Sequence, residues 1–334
     1  GTVDRGNRGP STAEAVVGRW ETVKNAPVEH RTIGMYADIV IAVDGSEESK
    51  RAARRGLALA RAFDATVHVL HVVERRALGL TTSAEEASRL RDRGEAVLAG
   101  IEELAAGSGP TVQTALREGR PSVRIDEFAD ERDADLVVVG RQGATGLGRR
   151  LLGGVTEGLV HRSDVPVFVV PEGADADVDA DGDGYTRVLV PTDGSDKAEV
   201  AVPHAAAVAR RYGAVLHVLN VVDIQEAGGV FGAGGLEAAF VDRLEARGRE
   251  AVERVEDGLR GTDPDLDLET AVVRTASFDG AAAGIREYVA DAGIDLLVMG
   301  SHGRSNLGRQ LLGSVASTVL RTVDVPVLLV KRDD

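Results

Sequence analysis

The chain has 334 residues, 43% of them hydrophobic, so its length suggests about two domains, each able to bury a sizeable core. Its formal net charge of −15 argues against general affinity for nucleic acid, whose phosphates need a positive field. The absence of cysteine excludes disulfides, thiolate metal sites and cysteine nucleophiles. No apolar run is long enough for a transmembrane helix, so we expect a cytoplasmic protein with neither membrane nor nucleic-acid partners.

The first segment, residues 1–34, shows neither helical nor alternating periodicity. It also lacks the continuous apolar core of a signal peptide. We expect a poorly ordered extension, with room for a short helix around Thr12–Val23. A domain is expected to begin at residue 35, because Met35 directly precedes the apolar stretch YADIVIAVDGS.

Strands and helices alternate along the first half of the chain. Short apolar or β-branched runs predict buried strands, and alanine-rich segments with helical spacing predict helices. The predicted strands are Ile39–Val43, Thr66–Val72, Thr111–Arg117, Leu136–Val139 and Val165–Val170. The predicted helices are Glu47–Ala62, Glu85–Ala106, Pro121–Arg132 and Val155–Arg162. Because right-handed crossovers join such strands, this order predicts an α/β fold with a doubly wound parallel sheet covered on both faces.

The second half repeats the first. The motif IAVDGS at 41–46 returns as VPTDGS at 190–195, and DLVVVG at 135–140 returns as DLLVMG at 295–300. Agreement at several separate places indicates a duplication. We therefore expect two tandem domains, 35–172 and 185–332, the second with a glycine-rich insertion around 228–235.

An acidic linker, 173–184, is predicted between the two domains. Its aspartates at 177, 179 and 181 fit the first positions of a calcium-binding EF-hand loop. The twelfth position, which needs a bidentate glutamate, is Val188, and no helix pair flanks the segment. A solvated linker is therefore favoured over a calcium site.

A glycine-rich stretch follows a predicted central strand in each half. The two stretches read GRQGATGLGRRLLGG at 140–154 and GSHGRSNLGRQLLGS at 300–314. Each leads into a helix predicted to begin at Val155 or Val315, and together a glycine loop and a helix N-terminus form a cradle for anions such as phosphate. Ser314 is predicted to cap its helix or to donate its hydroxyl to a phosphate oxygen. The alternative is an ordinary flexible loop that opens a helix.

The spacing of Gly300, Gly303, Gly313 and Ser314 resembles the ATP-binding motif of the universal stress protein family. The stretches VPTDGS, LHVLNVVD and DVPVLLV also fall where that family has them, and the resemblance covers 36–332. It implies that each half is a five-stranded parallel sheet of strand order 3-2-1-4-5 with helices on both faces. It also implies binding of ATP, together with Mg²⁺ or Mn²⁺.

The resemblance implies a nucleotide site in each half. In the second half Asp193 would lie near the nucleoside, Val221 would contact adenine, and the glycines would hold ribose and phosphates. The residues implied there are Pro191, Thr192, Asp193, Val221, Gly300, Gly303, Arg304, Gly313, Ser314 and Val315. Those implied in the first half are Asp44, Val72, Gly140, Gly143, Gly153 and Gly154. Gly154 departs from the family's serine or threonine, so we expect weaker binding in the first half.

Other candidate sites are not favoured. His68 and His71 fall on opposite faces of a predicted strand, so they do not form a metal pair. Ser301 and His302 are adjacent without a G-x-S-x-G elbow, so a hydrolytic nucleophile is not expected, and no catalytic residue is assigned. The last strand of each domain lies at a predicted sheet edge, and an exposed apolar edge is a hazard unless it is paired. Because the resemblance implies dimer contacts at this strand, we expect the two last strands to pair as a pseudo-dimer within one chain, and a homodimer stays open.

The function predicted from these features is a nucleotide-dependent switch in a stress response, with the better site in the second half. Two alternatives stay open. One is a protein-interaction module that does not use nucleotide. The other is a slow, partner-dependent ATPase, because glycine cradles alone do not accelerate hydrolysis.

Overall fold

A computed structural model describes residues 35–74, 84–106, 109–143, 151–172, 184–224, 238–303 and 312–331. The predicted extension 1–34, linker residues 173–183, the insertion at 228–235 and Arg304 lie outside the described residues. Within those ranges, each helix is too short or too polar to cross a membrane.

The described part of the first half alternates strands with helices, as predicted. Its strands are β1 (Asp38–Val43), β2 (Thr66–Glu74), β3 (Val112–Gly119), β4 (Leu136–Gly140) and β5 (Val167–Val170). Its helices are α1 (Glu47–Phe63), α2 (Ala84–Ala105), α3 (Pro121–Glu131) and α4 (Gly154–Arg162). Strand β5 begins two residues later than predicted, after Pro166, because proline has no N–H to donate to a strand ladder.

The second half repeats this order with one helix divided. Its strands are β6 (Arg187–Pro191), β7 (Val215–Asp223), β8 (Leu268–Thr275), β9 (Leu296–Gly300) and β10 (Val327–Val330). Its helices are α5 (Asp196–Glu199), α6 (Val202–Tyr212), α7 (Ala238–Thr262), α8 (Gly280–Asp291) and α9 (Ser314–Thr322). Helices α5 and α6 together match α1. They are separate because Pro203 has no N–H for the carbonyl of Glu199.

The strands of the two halves form one continuous sheet. The order β3-β2-β1-β4-β5 is followed by β10-β9-β6-β7-β8, so each half has the 3-2-1-4-5 order that the resemblance implied. All pairings within a half are parallel, whereas β5 and β10 pair antiparallel, with Phe168 opposite Leu328. The expected pairing of the last strands is therefore present.

Two apolar cores cover the two faces of this sheet, and both continue across the β5–β10 seam. One face contains Phe168 and Leu328, which are each 1% exposed. The other contains Val169 and Leu329. Each core includes strands from both halves, so the halves share buried surface rather than merely touching.

Polar side chains also tie the halves together beside this seam. The buried guanidinium of Arg141 donates to the carbonyl of Val323 at the end of α9, with a distance of 2.8 Å between Nη1 and the oxygen. Lys331 donates to the carbonyl of His161 at 3.1 Å. The two contacts place a cation at the C-terminal end of α9 and of α4, where the helix dipole is negative.

The histidines of β2 have structural partners. His68 donates through Nε2 to Asp38 at 2.9 Å, and His71 donates through Nδ1 to the carbonyl of Val43 at 2.8 Å. Asn220 occupies the position of His71 in the second half and donates to the carbonyl of Thr192, also at 2.8 Å. The same hydrogen bond is thus made by a titratable side chain in one half and a non-titratable one in the other.

This difference predicts a pH dependence of stability. Burial lowers the pKa of His71 below its ordinary value of 6.5, so the unfolded chain binds the proton more strongly. Stability that is fully present above about pH 6.5 is then lost as pH falls through the lowered folded pKa. We expect His71→Asn to reduce the loss of Tm between about pH 7.5 and about pH 5.

The measurement is thermal unfolding of both proteins across that range. Some acid sensitivity should remain in the variant, because burial also lowers the pKa of His217. An unchanged dependence of Tm on pH in His71→Asn would contradict the assignment.

Candidate functional site

A cavity of about 480 Å³ lies at the carboxyl ends of the strands in the second half. Thr192 and Asp193 enter it directly after β6, Val221 from the end of β7, and Met299 and Gly300 from the end of β9. In open α/β sheets this edge, where the strand order reverses, is the usual place for a ligand. A volume of this size suits a small organic ligand.

The residues predicted for the second-half site converge on this cavity. Arg304 lies outside the described residues. All the others line the cavity, namely Pro191, Thr192, Asp193, Val221, Gly300, Gly303, Gly313, Ser314 and Val315. Their part in binding stays a prediction, but the structure brings them together from three strand ends and the start of one helix.

The loop after β6 fixes the carboxylate of Asp193. Its Oδ1 accepts hydrogen bonds from the backbone N–H of Ser195 at 3.0 Å and from its hydroxyl at 2.6 Å. Ser195 in turn caps α5, and Gly194 adopts a φ of +78°, which favours glycine. The orientation of the carboxylate is therefore set by backbone geometry before any ligand binds.

The glycines of the loop after β9 allow close approach of the backbone. A Cβ on Gly303 would lie 2.3 Å from Oδ2 of Asp193, and one on Gly300 would lie 2.3 Å from the carbonyl oxygen of Lys197. Real Cβ atoms essentially never come this close, so a side chain at Gly303 forces the loop or the carboxylate to move, and one at Gly300 forces main chain to move. The Cβ of a substituted Gly313 would be 3.0 Å from the carbonyl oxygen of Ser301.

The helix that follows the loop begins without a side-chain cap. Of the two roles predicted for Ser314, capping α9 is wrong, because Gly313 is the N-cap, with φ −58° and ψ 146°; donation to a phosphate stays a prediction. Ser314 is instead the first helical residue, and its exposed side chain lines the cavity. Helix α4 likewise begins at Gly154, one residue before the predicted Val155. The first-turn residues of α9 thus line the cavity, and in the part of the chain that the structure describes their N–H groups donate no hydrogen bond to a capping side chain.

One wall of the cavity was not predicted from the sequence. Phe240, Leu244 and Arg247 lie on one face of α7 at i, i+4 and i+7 spacing, and all three line the cavity. This spacing is visible in the sequence, but it does not show that the first turns of α7 lie beside the cavity. The wall adds an aromatic ring and a cation to the site.

Ser301 and His302 also line the cavity, and they share a hydrogen bond of 2.9 Å between Oγ and Nδ1. Sequence adjacency alone made such a contact unexpected. Ser301 is buried, so the hydrogen bond fixes the imidazole against the base of the loop. Because the G-x-S-x-G motif of a nucleophile elbow is absent here, we interpret this hydrogen bond as one that orients the His302 ring.

The first half has the same scaffold at its predicted site. Asp44 accepts from Ser46 at 2.9 Å and 2.6 Å, and a Cβ on Gly143 would lie 2.4 Å from Oδ2 of Asp44. The N–H of Gly153 donates to the carbonyl of Arg141 at 2.9 Å, as Gly313 donates to Ser301 in the second half. The backbone of the two loops is therefore closely alike where the structure describes it.

The other residues predicted for the first-half site lie at positions that match those of the second half. Gly140 ends β4 against the main chain of Glu48, and Val72 lies near the end of β2 beside Arg117. Among the described residues, a Cβ on Gly154 would meet no atom of another part of the fold within 4 Å, which leaves room for the serine found at the matching position of the second half.

Comparison with known proteins places both halves of the chain in one family. Residues 35–171 and 184–331 each match the universal stress protein family. A universal stress protein of Mycolicibacterium smegmatis is 32% identical over 307 residues, covering 88% of this chain and 96% of that protein. One from Methanocaldococcus jannaschii is 36% identical over 140 residues, covering 41% of this chain and 82% of that protein.

A solved structure shares the whole arrangement. The crystal structure of a universal stress protein from Archaeoglobus fulgidus superposes with a TM-score of 0.66 at 23% identity, covering 90% of this chain and 99% of that one. This likeness supports the fold of both halves together. The chain therefore belongs to the universal stress protein family, as a member with two tandem copies of the family's domain.

Proposed function

We propose that the cavity of the second half binds an adenine nucleotide, ATP with Mg²⁺ or Mn²⁺, and that its occupancy acts as a switch in a stress response. The observation that carries this proposal is the pairing of an anion cradle with an apolar chamber in one cavity of about 480 Å³. The cradle suits phosphates, and the chamber suits a planar base.

The phosphate end rests on the loop after β9 and the start of α9. Gly303 and Gly313 leave room for backbone N–H groups to approach a ligand. Among the described residues the N-terminus of α9 has no side-chain cap, so its N–H donors and its positive dipole are available to an anion in the cavity. Ser314 adds a hydroxyl at the same place, and Arg247 adds a cation from α7.

The base end rests on apolar side chains. Val221, Ile285, Met299 and Phe240 line the cavity from both sides of the sheet edge. A purine would be held by area burial and by ring contact with Phe240. Asp193, whose carboxylate is fixed by Ser195, is the group we propose for the ribose hydroxyls.

A divalent cation would be held largely by the phosphates. Among the described residues, no three His, Asp or Glu side chains come together as a metal site. Asp193 and His302 each hold a hydrogen bond with a neighbouring serine. We therefore propose no general base and at most slow hydrolysis.

The first experiment is to denature the purified protein and quantify the released nucleotide, followed by calorimetric titration with ATP and Mg²⁺. We expect Ser314→Ala to weaken ATP binding by roughly 10- to 100-fold, because a hydrogen bond to a charged group contributes about 1.5–3 kcal/mol. Ser317→Ala, one turn along α9 and outside the cavity lining, is the matched control.

Three results would redirect the proposal. Absence of nucleotide, with no Tm shift at millimolar ATP and Mg²⁺, would favour a nucleotide-independent interaction module. Equal losses in Ser314→Ala and Ser317→Ala would place the phosphates elsewhere. Steady phosphate release by the wild-type protein would favour an ATPase.

A further inference from the structure

The two halves carry opposite charges at one matching position of their folds. Glu48 and Lys197 lie at matching places in the first turn of α1 and α5. The main chain of each packs against the glycine that ends the neighbouring strand. The carbonyl carbon of Glu48 is 3.4 Å from the Cβ position of Gly140, and the carbonyl oxygen of Lys197 is 2.3 Å from that of Gly300. The positions are thus equivalent in space as well as in sequence.

The carboxylate of Glu48 contacts the glycine loop of its own half. Its Oε2 accepts a hydrogen bond from the backbone N–H of Gln142 at 2.8 Å. In the second half, His302 stands at the position of Gln142, and it lines the cavity. In the first half a negatively charged side chain therefore occupies a backbone donor at the start of the loop, as a phosphate oxygen would.

The same loop is closed by a second contact. The side-chain amide of Gln142 donates to the carbonyl of Leu151 at 2.6 Å, which ties the start of the loop to its end. The end of the loop also lacks the hydroxyl that Ser314 supplies in the second half, because Gly154 stands there. Both ends of the first-half loop are thus less able to bind an anion.

The two halves also differ in the helix that follows the second strand, which is α2 in the first half and α7, one wall of the cavity, in the second. Gly94 of α2 packs over the paired residues His71 and Leu116, and Gly248 of α7 packs over the matching pair, Asn220 and Val272. The two helices are therefore aligned at these glycines. Counting eight residues back along each helix places Glu86 where the second half has Phe240. The wall of the first half gains a carboxylate and loses an aromatic ring.

We propose that Glu48 is a specificity-determining residue that restricts polyanion binding to the second half, so that each chain binds one nucleotide. The carboxylate acts as a built-in anion on the first-half loop. A triphosphate would have to displace it and then lie beside its charge. This inference rests on the proposed nucleotide site of the second half, and it assigns the main part of the difference between the halves to one charge and one hydroxyl on the glycine loop.

The test is the stoichiometry of ATP binding with Mg²⁺, measured by calorimetry and equilibrium dialysis on the full chain. The wild-type protein should bind one ATP per chain, and the double variant Glu48→Lys, Gly154→Ser should bind two. In a Gly303→Val background, which removes the second-half site, the same double change should restore binding of one. The reciprocal variant Lys197→Glu should weaken binding in the second half at least tenfold.

The outcomes separate this inference from the function on which it rests. Two ATP bound per wild-type chain would overturn the inference and leave nucleotide binding intact. No ATP bound in any variant would instead overturn the proposed function. A folded Glu48→Lys, Gly154→Ser protein that gains no site, in either background, would show that Glu48 does not decide the difference.

A folding defect in Glu48→Lys does not remove the test. Glu48→Gln combined with Gly154→Ser keeps the shape of the side chain and removes its charge. This variant should gain a second, weaker site, and circular dichroism and Tm would establish that it is folded. Failure of the folded Gln variant to gain any binding would count against the proposal in the same way.

Discussion

Replacing Gly303 with valine is expected to abolish nucleotide binding. A Cβ at this position would lie 2.3 Å from Oδ2 of Asp193, and the carboxylate is held in place by Ser195. Either the loop or the carboxylate must therefore move, and either shift disturbs the lining of the cavity. We expect the affinity for ATP to fall roughly 100-fold or more, equivalent to about 3 kcal/mol.

The chain contains its own control for this variant. Gly143→Val creates the same clash in the first half, where the Cβ would lie 2.4 Å from Oδ2 of Asp44. Both variants should lower Tm to a similar extent, and calorimetry should find ATP binding lost in Gly303→Val and retained in Gly143→Val. Equal loss of binding in both would indicate a general effect on folding rather than a site in the second half.

Replacing Phe168 with alanine is expected to destabilise the whole chain. Phe168 is 1% exposed, lies opposite Leu328 at the β5–β10 seam, and belongs to a core that includes strands of both halves. Removing a buried aromatic side chain leaves a cavity and costs about 3–5 kcal/mol of unfolding free energy. Because the core is shared, the loss should affect both halves.

Urea denaturation followed by circular dichroism measures this cost. Leu90→Ala is the control, because Leu90 is 39% exposed and its truncation should change the unfolding free energy by only about 0.5 kcal/mol. An equally small effect in Phe168→Ala would mean that the seam contributes little to stability. Loss of structure in the first half alone would mean that the halves unfold independently.

The sequence predicted the strands and helices well, because their hydrophobic periodicity is a local property of the chain. Apolar runs and helical spacing located β1 to β4 and their helices within a few residues, and the repeated glycine stretches pointed to one edge of each sheet. Strand order and the ligand came from family resemblance, since hydrogen-bond partners between distant strands are not encoded in local pattern. The start of β5 was misplaced because Pro166 interrupts an otherwise continuous apolar run.

Long-range side-chain contacts were beyond sequence reasoning. The hydrogen bond from Gln142 to Glu48 joins residues 94 positions apart, and that from Arg141 to Val323 joins residues 182 positions apart. Neither follows from composition or spacing. The capping role given to Ser314 failed for a related reason. The N-cap is decided by the backbone angles of Gly313, and these depend on its hydrogen bond to Ser301.

The antiparallel pairing of β5 with β10 also bears on how such a chain can evolve. Two separate identical subunits joined at this seam would carry every substitution twice, at symmetry-related places. Here both partners are encoded once in a single chain, so the seam forms at any dilution and each copy mutates independently. Arg141 can cross the seam from one copy while Ser301 occupies the matching place in the other. Covalent fusion has thus released the two domains from symmetry, which allows one to keep an ancestral task while the other diverges.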